Sequence, residues 1–178
     1  TGRPADTTSR LPKEIRTYDL LDSLGIAYAR ADHDTLPTME ACQEVGNLLG
    51  IEICKNLFLR NTQKTAFYLL ILPGSKKFKT AALSKQIGSA RLSFAEPEFM
   101  EQYLNITPGS VSVLGLMNDP ENKVRLLIDK DILKNHPYFG CHPCINTSSL
   151  KFRTEDLLNK ILPAIHHDYT MVDLPYAE

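Results

Sequence analysis

The sequence predicts a mixed α/β domain, of either the α/β or the α+β class, from three observations. Segments with apolar residues at helical spacing alternate along the chain with short β-like segments. Two β-like segments, residues 51–60 and 66–72, are separated by a turn-like stretch and predict a hairpin. The composition, 43% hydrophobic and 23% charged over 178 residues, is that of one soluble globular domain with a sizeable core.

The N-terminal residues 1–10 are polar and rich in Thr and Ser, so we expect a disordered tail before a single domain of residues 11–178. No signal region is visible there, and no apolar run approaches the length of a membrane span. We therefore expect a cytoplasmic protein without a membrane partner. Because the formal net charge is −1, DNA is not an expected partner, and any RNA contact must come from a local patch.

The first elements are helical. Apolar residues at helical spacing predict a helix over residues 13–24 that stops at Gly25, and a short strand over residues 26–31 follows. Thr38 is typical of an N-cap and predicts a second helix over residues 39–49.

The predicted hairpin places a lysine close to a strand end. Because residues 66–72 are apolar on both faces, this strand must be covered on both sides and belongs in the middle of a sheet. Lys55 lies near the start of the preceding strand. A solvated lysine at a strand end is the structural alternative to a functional role.

A local basic patch follows the break at Pro73 and Gly74. It contains no acidic residue and comprises Lys76, Lys77, Lys79, Lys85 and Arg91. A helix over residues 80–87, ended by Gly88, would hold Lys85 away from its apolar face. Such a patch can bind phosphates, and the alternative is a solvated helix rim.

The second half of the chain predicts more strands and helices in alternation. Strands are expected at residues 91–95, 106–116, 124–129 and 150–152, the second of them entered by a Pro-Gly turn. Helices are expected from Pro97 to residue 104, over residues 130–135, and from an N-cap at Thr154 to about residue 162. We expect His166, His167 and Asp168 to lie in a solvated tail.

The stretch of residues 138–146 gathers side chains that carry chemistry. Pro143 favours an extended His142, and Gly140 allows a ligand to approach the backbone closely. Imidazole and amide groups donate and accept hydrogen bonds, so His142 and Asn146 are candidates to orient a polar substrate. A turn at the entry to a strand, with a capped histidine, is the structural alternative.

The four cysteines, Cys42, Cys54, Cys141 and Cys144, are expected to be reduced thiols. A structural zinc site usually draws on two well-separated ligand pairs, whereas Cys42 and Cys54 are twelve residues apart. A redox CxxC motif normally opens a helix, and no helical pattern follows Cys144. We therefore expect no metal and no cofactor, and a Cys–His nucleophile pair stays open as an alternative.

Several short motifs occur in an order that resembles the YbaK/prolyl-tRNA synthetase-associated family, in particular its free-standing ProX branch of aminoacyl-tRNA editing proteins. The resemblance covers about residues 13–162. Its motifs are the loop at His33 with Thr38-Met39-Glu40, Lys55-Asn56-Leu57-Phe58-Leu59, Leu83 to Gly88 followed by Arg91 to Ala95, Thr107 to Val111, and His142-Pro143 with Asn146.

This resemblance implies a mixed, barrel-like β-sheet flanked by helices and a deacylase that removes alanine from mischarged proline tRNA. It implies catalytic roles for Lys55, Gly109 and His142, and substrate-binding roles for His33, Thr38, Asn56 and Asn146. The basic patch, Lys76, Lys77, Lys79 and Lys85, is the expected RNA contact, and prolyl-tRNA synthetase is an expected partner.

Two alternatives remain beside the alanine-specific reaction. The first is deacylation of Cys-tRNA(Pro), as in the YbaK branch, and the second is a non-catalytic module that binds an aminoacyl-nucleotide or amino acid. The chain also departs from the family pattern, because Val113 stands where the glycine loop usually has proline. We expect that loop to be less rigid, with Gly109 retained.

Overall fold

The computed structural model describes residues 2–34, 39–52 and 54–175, and for residues 39–43 only the helical backbone. The strands are β1 (Ala29–Asp32), β2 (Cys54–Asn61), β3 (Phe67–Pro73), β4 (Leu92–Phe94), β5 (Val124–Asp129), β6 (Tyr138–Cys141), β7 (Ser148–Arg153) and β8 (Tyr169–Val172). The helices are α1 (Pro12–Ser23), α2 (Met39–Leu49), α3 (Thr80–Ile87), α4 (Pro97–Leu104) and α5 (Lys130–Asn135). A last helix, α6, begins at Thr154–Asp156, widens into a π-helical turn at Leu157–Ile161 and ends with Leu162–Ala164.

The larger sheet has five strands in the order β4-β2-β3-β5-β8. The predicted hairpin is confirmed, because β2 and β3 pair antiparallel from Cys54 opposite Pro73 to Arg60 opposite Phe67. Both β3 with β5 and β5 with β8 pair in parallel. All seven residues of β3 are buried, and this strand lies at the centre of the sheet as its continuous apolar run predicts.

The smaller sheet has three antiparallel strands in the order β1-β7-β6. Its inner face packs against the larger sheet in one apolar cluster, which includes Phe139, Leu150 and Phe152 from the smaller sheet and Leu69, Ile71 and Leu126 from the larger one. The other face of the larger sheet packs on α3 and on Leu174. The mixed α/β class is thus confirmed, but the described strands form two sheets that do not close into the expected barrel.

Most predicted helices are confirmed within a residue or two. Helix α3 ends before Gly88, and Pro97 lies in the first turn of α4, where its missing N–H leaves no helical hydrogen bond unmade. The last helix extends past the expected end at residue 162. Thr154 does not cap it, because the Thr154 hydroxyl donates instead to the carbonyl oxygen of His136. No helix in the described ranges is long and apolar enough to cross a membrane.

The strand expected over residues 106–116 is wrong, because the chain forms a 3₁₀ helix at Val113–Asn118 instead. The Ser112 hydroxyl accepts a hydrogen bond of 3.1 Å from the amide of Leu114 and caps this helix. A Cβ at Gly115 would lie only 2.6 Å from Cδ1 of Ile106, so the glycine permits close packing on the preceding segment. The apparent alternation reflects burial of four consecutive residues rather than the two faces of a strand.

Both chain ends differ from expectation. Residues 2–10, expected to be a disordered tail, make defined contacts: the Gly2 amide donates to the Tyr28 carbonyl oxygen at 2.9 Å, and Arg3 pairs with Asp19. The expected solvated tail after α6 is wrong, because β8 joins the larger sheet. His167 there is buried, and its Nε2 lies 3.2 Å from Oδ2 of Asp119.

Candidate functional site

Two histidines from separate segments meet at the end of the smaller sheet. His33 follows β1, and its backbone amide continues the strand ladder by donating to the carbonyl oxygen of Thr147 at 2.9 Å. His142 follows β6, and the two ring centroids lie 6.1 Å apart. The residues are 109 positions apart in the chain, so the pairing of β1 and β6 with β7 creates this juxtaposition.

The hydrogen bonds of these rings define their tautomers. Nδ1 of His33 lies 2.7 Å from the carbonyl oxygen of Asp34, and Nδ1 of His142 lies 2.8 Å from that of Ser148. Because a carbonyl oxygen only accepts, each Nδ1 must carry the proton. In this tautomer Nε2 of His33 accepts from the Ser149 hydroxyl at 2.9 Å, and Nε2 of His142 presents a lone pair.

The charge state of His142 follows from its surroundings. Burial lowers its pKa below the ordinary value, the charge of His33 acts in the same direction, and the hydrogen bond to Ser148 only partly opposes them. The imidazole is therefore neutral near pH 7. A neutral ring with an available Nε2 can accept a hydrogen bond from water or from a substrate hydroxyl.

An ionic network holds the strand segment that positions His142. The Ser148 hydroxyl donates to Oδ1 of Asp32 at 2.6 Å, and Nη2 of Arg10 lies 3.1 Å from Oδ2 of the same carboxylate. Burial opposes ionisation of Asp32, but hydrogen bonds from Arg30, Arg10 and Ser148 outweigh it and hold the Asp32 pKa below its ordinary range. The sequence analysis missed this network, because its members are up to 138 positions apart and form no local motif.

Gly109 and Asn146 come together although they are 37 positions apart in the chain. Gly109 has φ of 92°, a conformation that L side chains rarely adopt, and a Cβ there would lie 3.6 Å from Nδ2 of Asn146. The loop is closed by the Ser110 hydroxyl, which donates to the Thr107 carbonyl oxygen at 2.9 Å. The structure thus forms two pairs, His33 with His142 and Gly109 with Asn146, and the short segment of residues 142–146 connects them in the chain.

Lys55 and Asn56 lie apart from this surface in the described contacts. As neighbours in β2 they face opposite sides of the sheet, with Asn56 on the side of the main apolar cluster. Nζ of Lys55 donates to the carbonyl oxygen of Lys76 at 2.7 Å. Oδ1 of Asn56 is buried and has no hydrogen-bond partner among the described residues, which makes it a candidate acceptor for a bound ligand.

The described cysteines are poor nucleophiles. Cys54, Cys141 and Cys144 have free thiols and are buried. Burial raises the pKa of Cys54 to about 12 and that of Cys144 to about 11. Because the thiolate is the reactive form, a Cys–His nucleophile pair at residues 141–144 is not supported. The side chain of Cys42 lies outside the described part of the chain.

The basic patch is smaller than the sequence predicts. Lys76 is 1% exposed and forms ion pairs with Asp129, Asp131 and Asp173, so its expected place on an exposed RNA-binding surface is wrong. Lys77, Lys79 and Lys85 are exposed and are called the lysine patch below. Thr38, the remaining predicted substrate-binding residue, lies outside the described residues.

Several known proteins are similar to this chain in sequence. The family model described as an aminoacyl-tRNA editing domain matches residues 33–160. A protein named prolyl-tRNA editing protein ProX, from Acetoanaerobium sticklandii, is 32% identical over 154 residues, which are 86% of this chain and 93% of that protein. The prolyl-tRNA synthetase associated domain-containing protein 1 of Bos taurus is 28% identical over 142 residues, covering 78% of this chain and 82% of the relative.

Solved structures agree on the fold. A candidate trans-editing enzyme for prolyl tRNA synthetase superposes with a TM-score of 0.66 at 16% identity, covering 93% of this chain and 99% of the other. A scaffold protein used for grafting linear epitopes superposes with a TM-score of 0.71, also at 16% identity, over 94% of this chain and 99% of the other. At this identity the likeness shows the fold alone.

Proposed function

Because the chain belongs to the aminoacyl-tRNA editing domain family, we propose that it is a trans-editing deacylase that removes alanine wrongly attached to proline tRNA. The reaction adds water to the ester carbonyl and breaks the bond between the carbonyl carbon and the ribose oxygen. The products are free alanine and tRNA with its terminal hydroxyl restored.

The observation that carries the proposal is the neutral His142 with its available Nε2, whose ring centroid lies 6.1 Å from that of His33. An aminoacyl ester is already activated, so orientation of water and stabilisation of the developing oxyanion can suffice without a covalent nucleophile. In this proposal His142 orders the attacking water, and backbone groups at Gly109 approach the ester. The vicinal ribose hydroxyl passes the proton to the leaving oxygen.

The other predicted residues are assigned to the substrate. Lys55 has three N–H donors, of which the Lys76 carbonyl oxygen takes one, so the others are available to the ribose hydroxyls of the terminal adenosine. The unpartnered Oδ1 of Asn56 is an acceptor for a ribose hydroxyl or an amino group. His33 and Asn146 orient the aminoacyl group, and a contact from Thr38 stays a prediction.

Alanine is the proposed amino acid because a synthetase site sized for proline cannot strongly reject a smaller side chain. A second site that excludes proline can then correct the error. The proposed substrate makes prolyl-tRNA synthetase the natural partner and the cytoplasm the natural location.

The test compares hydrolysis of Ala-tRNA(Pro), Cys-tRNA(Pro) and Pro-tRNA(Pro) by the whole protein. We expect rapid loss of alanine, slower loss of cysteine and no loss of proline. The variant Lys123→Ala, on a turn with a 58% exposed side chain, serves as a control and should match the wild type. Hydrolysis of Cys-tRNA(Pro) alone would assign the cysteine reaction, and binding of all three without hydrolysis would assign a non-catalytic module.

A further inference from the structure

A polar cavity of about 400 Å³ opens next to Asn146, on the side of the Gly109 loop. One wall comes from residues 9–14 at the start of α1, a second from Thr107 and Ser110, and a third from residues 145–147. The family match begins at residue 33, so the first wall lies outside it. The cavity is therefore formed jointly by the Gly109 and Asn146 loops and by a segment whose only role so far is the structural ion pair of Arg10.

The charges in these walls are unequal. Glu14 is buried, and its Oε2 is already engaged by Arg10 at 3.0 Å and by the Tyr18 hydroxyl. Arg10 is likewise held by Glu14 and Asp32. The ammonium of Lys13, by contrast, has no carboxylate partner in the described part of the chain. The cavity thus contains one half-buried cation, Lys13, for which the described residues supply no carboxylate.

Lys13 lines this cavity together with the loop that carries Asn146. Burial raises the pKa of the Cys144 thiol to about 11, and the positive charge of Lys13 acts against this rise. Hydroxyl groups of Ser9, Thr107 and Thr147 complete the lining, and each can donate a hydrogen bond.

We infer that this cavity is a phosphate subsite that binds the 5′-phosphodiester of the terminal adenosine of charged tRNA, with Lys13 as its main cation. An unneutralised ammonium surrounded by hydroxyl and amide donors suits an anion. An α-ammonium group of the amino acid would need an unengaged carboxylate, and the Glu14 oxygen in the wall is occupied. The choice of this particular phosphate rests on the proposed function, because the phosphodiester is the anion closest to the ester.

A binding experiment tests the subsite without relying on catalysis. The whole protein is titrated calorimetrically with adenosine 5′-monophosphate and with adenosine, at low and at high salt. We expect tighter binding of the monophosphate, a preference that Lys13→Ala removes and that salt weakens. Lys13→Arg should keep the preference, whereas Lys123→Ala, which removes an exposed lysine elsewhere, should leave it intact. A wild-type protein with no preference for the monophosphate would overturn the inference.

A kinetic experiment then separates the subsite from the ester chemistry. We expect Lys13→Ala to raise the KM for Ala-tRNA(Pro) roughly tenfold, the scale of one charge-assisted contact, with kcat unchanged. With O-alanyl-adenosine, which lacks the phosphodiester, the same variant should behave as the wild type. Equal effects on the two substrates would count against a phosphate role. A wild-type protein that binds the monophosphate but hydrolyses neither substrate would overturn the proposed function and leave the subsite standing as an anion site.

Discussion

Two neighbouring lysines have opposite environments. Lys76, in the turn after β3, is buried, whereas Lys77, in the lysine patch, is exposed. Lys76 is enclosed, with Nζ 3.0 Å from Oδ1 of Asp129 and 3.1 Å from Oδ2 of Asp131. Lys77, one residue further, is exposed together with the rest of the patch. A buried ion pair has lost its hydration and depends on its partners, whereas an exposed lysine keeps its hydration and depends on none.

The two regions also relate differently to the proposed site. Burial opposes the charged form of Lys76, but the hydrogen bonds that the ammonium donates to Asp129 and Asp131 outweigh it and raise the Lys76 pKa, so the ammonium persists. Asp129 further accepts the amide of Leu174 at 2.9 Å, which ties the C-terminal segment to the turn. Because the carbonyl oxygen of Lys76 holds Lys55, the buried cluster connects with a proposed catalytic residue. The lysine patch, by contrast, is connected to the proposed site only through its expected contact with tRNA.

The largest effect expected from this contrast is on stability. Lys76→Met should lower the free energy of unfolding by about 3–5 kcal/mol, because it leaves the fully buried carboxylate of Asp129 without its cation. Urea denaturation followed by circular dichroism measures the change. Lys77→Met is the matched control and should change stability by less than about 0.5 kcal/mol. Equal effects of the two substitutions would remove the distinction between the regions.

The second effect concerns Lys55, which the buried cluster holds. Lys55→Ala should lower kcat/KM for Ala-tRNA(Pro) at least tenfold, the scale of a lost charge-assisted contact, while stability changes little. Single-turnover and steady-state kinetics measure the loss, and urea denaturation checks the fold. Full activity of Lys55→Ala would contradict its proposed role.

The fold was predictable from the sequence wherever an element carries its own local pattern. The continuous apolar run of residues 67–73 requires cover on both faces, and β3 is indeed central. Pro97 likewise marks the start of α4. Local patterns succeed in these cases because the residues that form the element also carry its signal. The local pattern failed at residues 113–118. A strand with alternating buried and exposed residues was expected there, but the chain forms a 3₁₀ helix with four consecutive buried residues, and Gly115 packs closely on Ile106.

The candidate site was predictable only where residues lie in short motifs. The pairing of His33 with His142 depends on strand order, which no local pattern encodes. The same is true of the support from Asp32, Arg10 and Ser148. Nor does a run of lysines reveal which member is buried, because the partners of Lys76 come from β5, α5 and the C-terminal segment.

A third effect concerns a titratable group that is partly enclosed. Activity on Ala-tRNA(Pro) should fall on acidification with a midpoint below pH 6.5, because burial lowers the pKa of His142 and only the neutral ring presents a lone pair. The pH dependence of kcat/KM at constant ionic strength measures this midpoint. A midpoint above pH 6.5 would contradict the assigned state of His142.

The sign of the matching stability effect is fixed by the same shift. The unfolded chain binds a proton at the ordinary histidine pKa, and the folded chain only at a lower pH, so stability should decrease as pH falls from 6.5 toward the folded pKa. His142→Asn is the control for both measurements, since its amide can still donate to Ser148 but does not titrate. Residual activity and stability of this variant should lack the acid dependence that His142 contributes.

The smallest effect is expected at the lysine patch. Reversing two charges with Lys77→Glu and Lys79→Glu should raise the KM for charged tRNA a few-fold and flatten its salt dependence, which scales at roughly 0.7–0.9 per phosphate contact. Turnover at saturation should stay the same, because neither lysine has a role in the proposed ester chemistry. Measuring KM at two salt concentrations, with Lys123→Glu as the control for net charge, separates a tRNA contact from a merely solvated rim. An unchanged KM and salt slope would restrict tRNA recognition to the acceptor end. Lys76 would then be a lysine with a structural role, and the exposed lysines of the patch would have none.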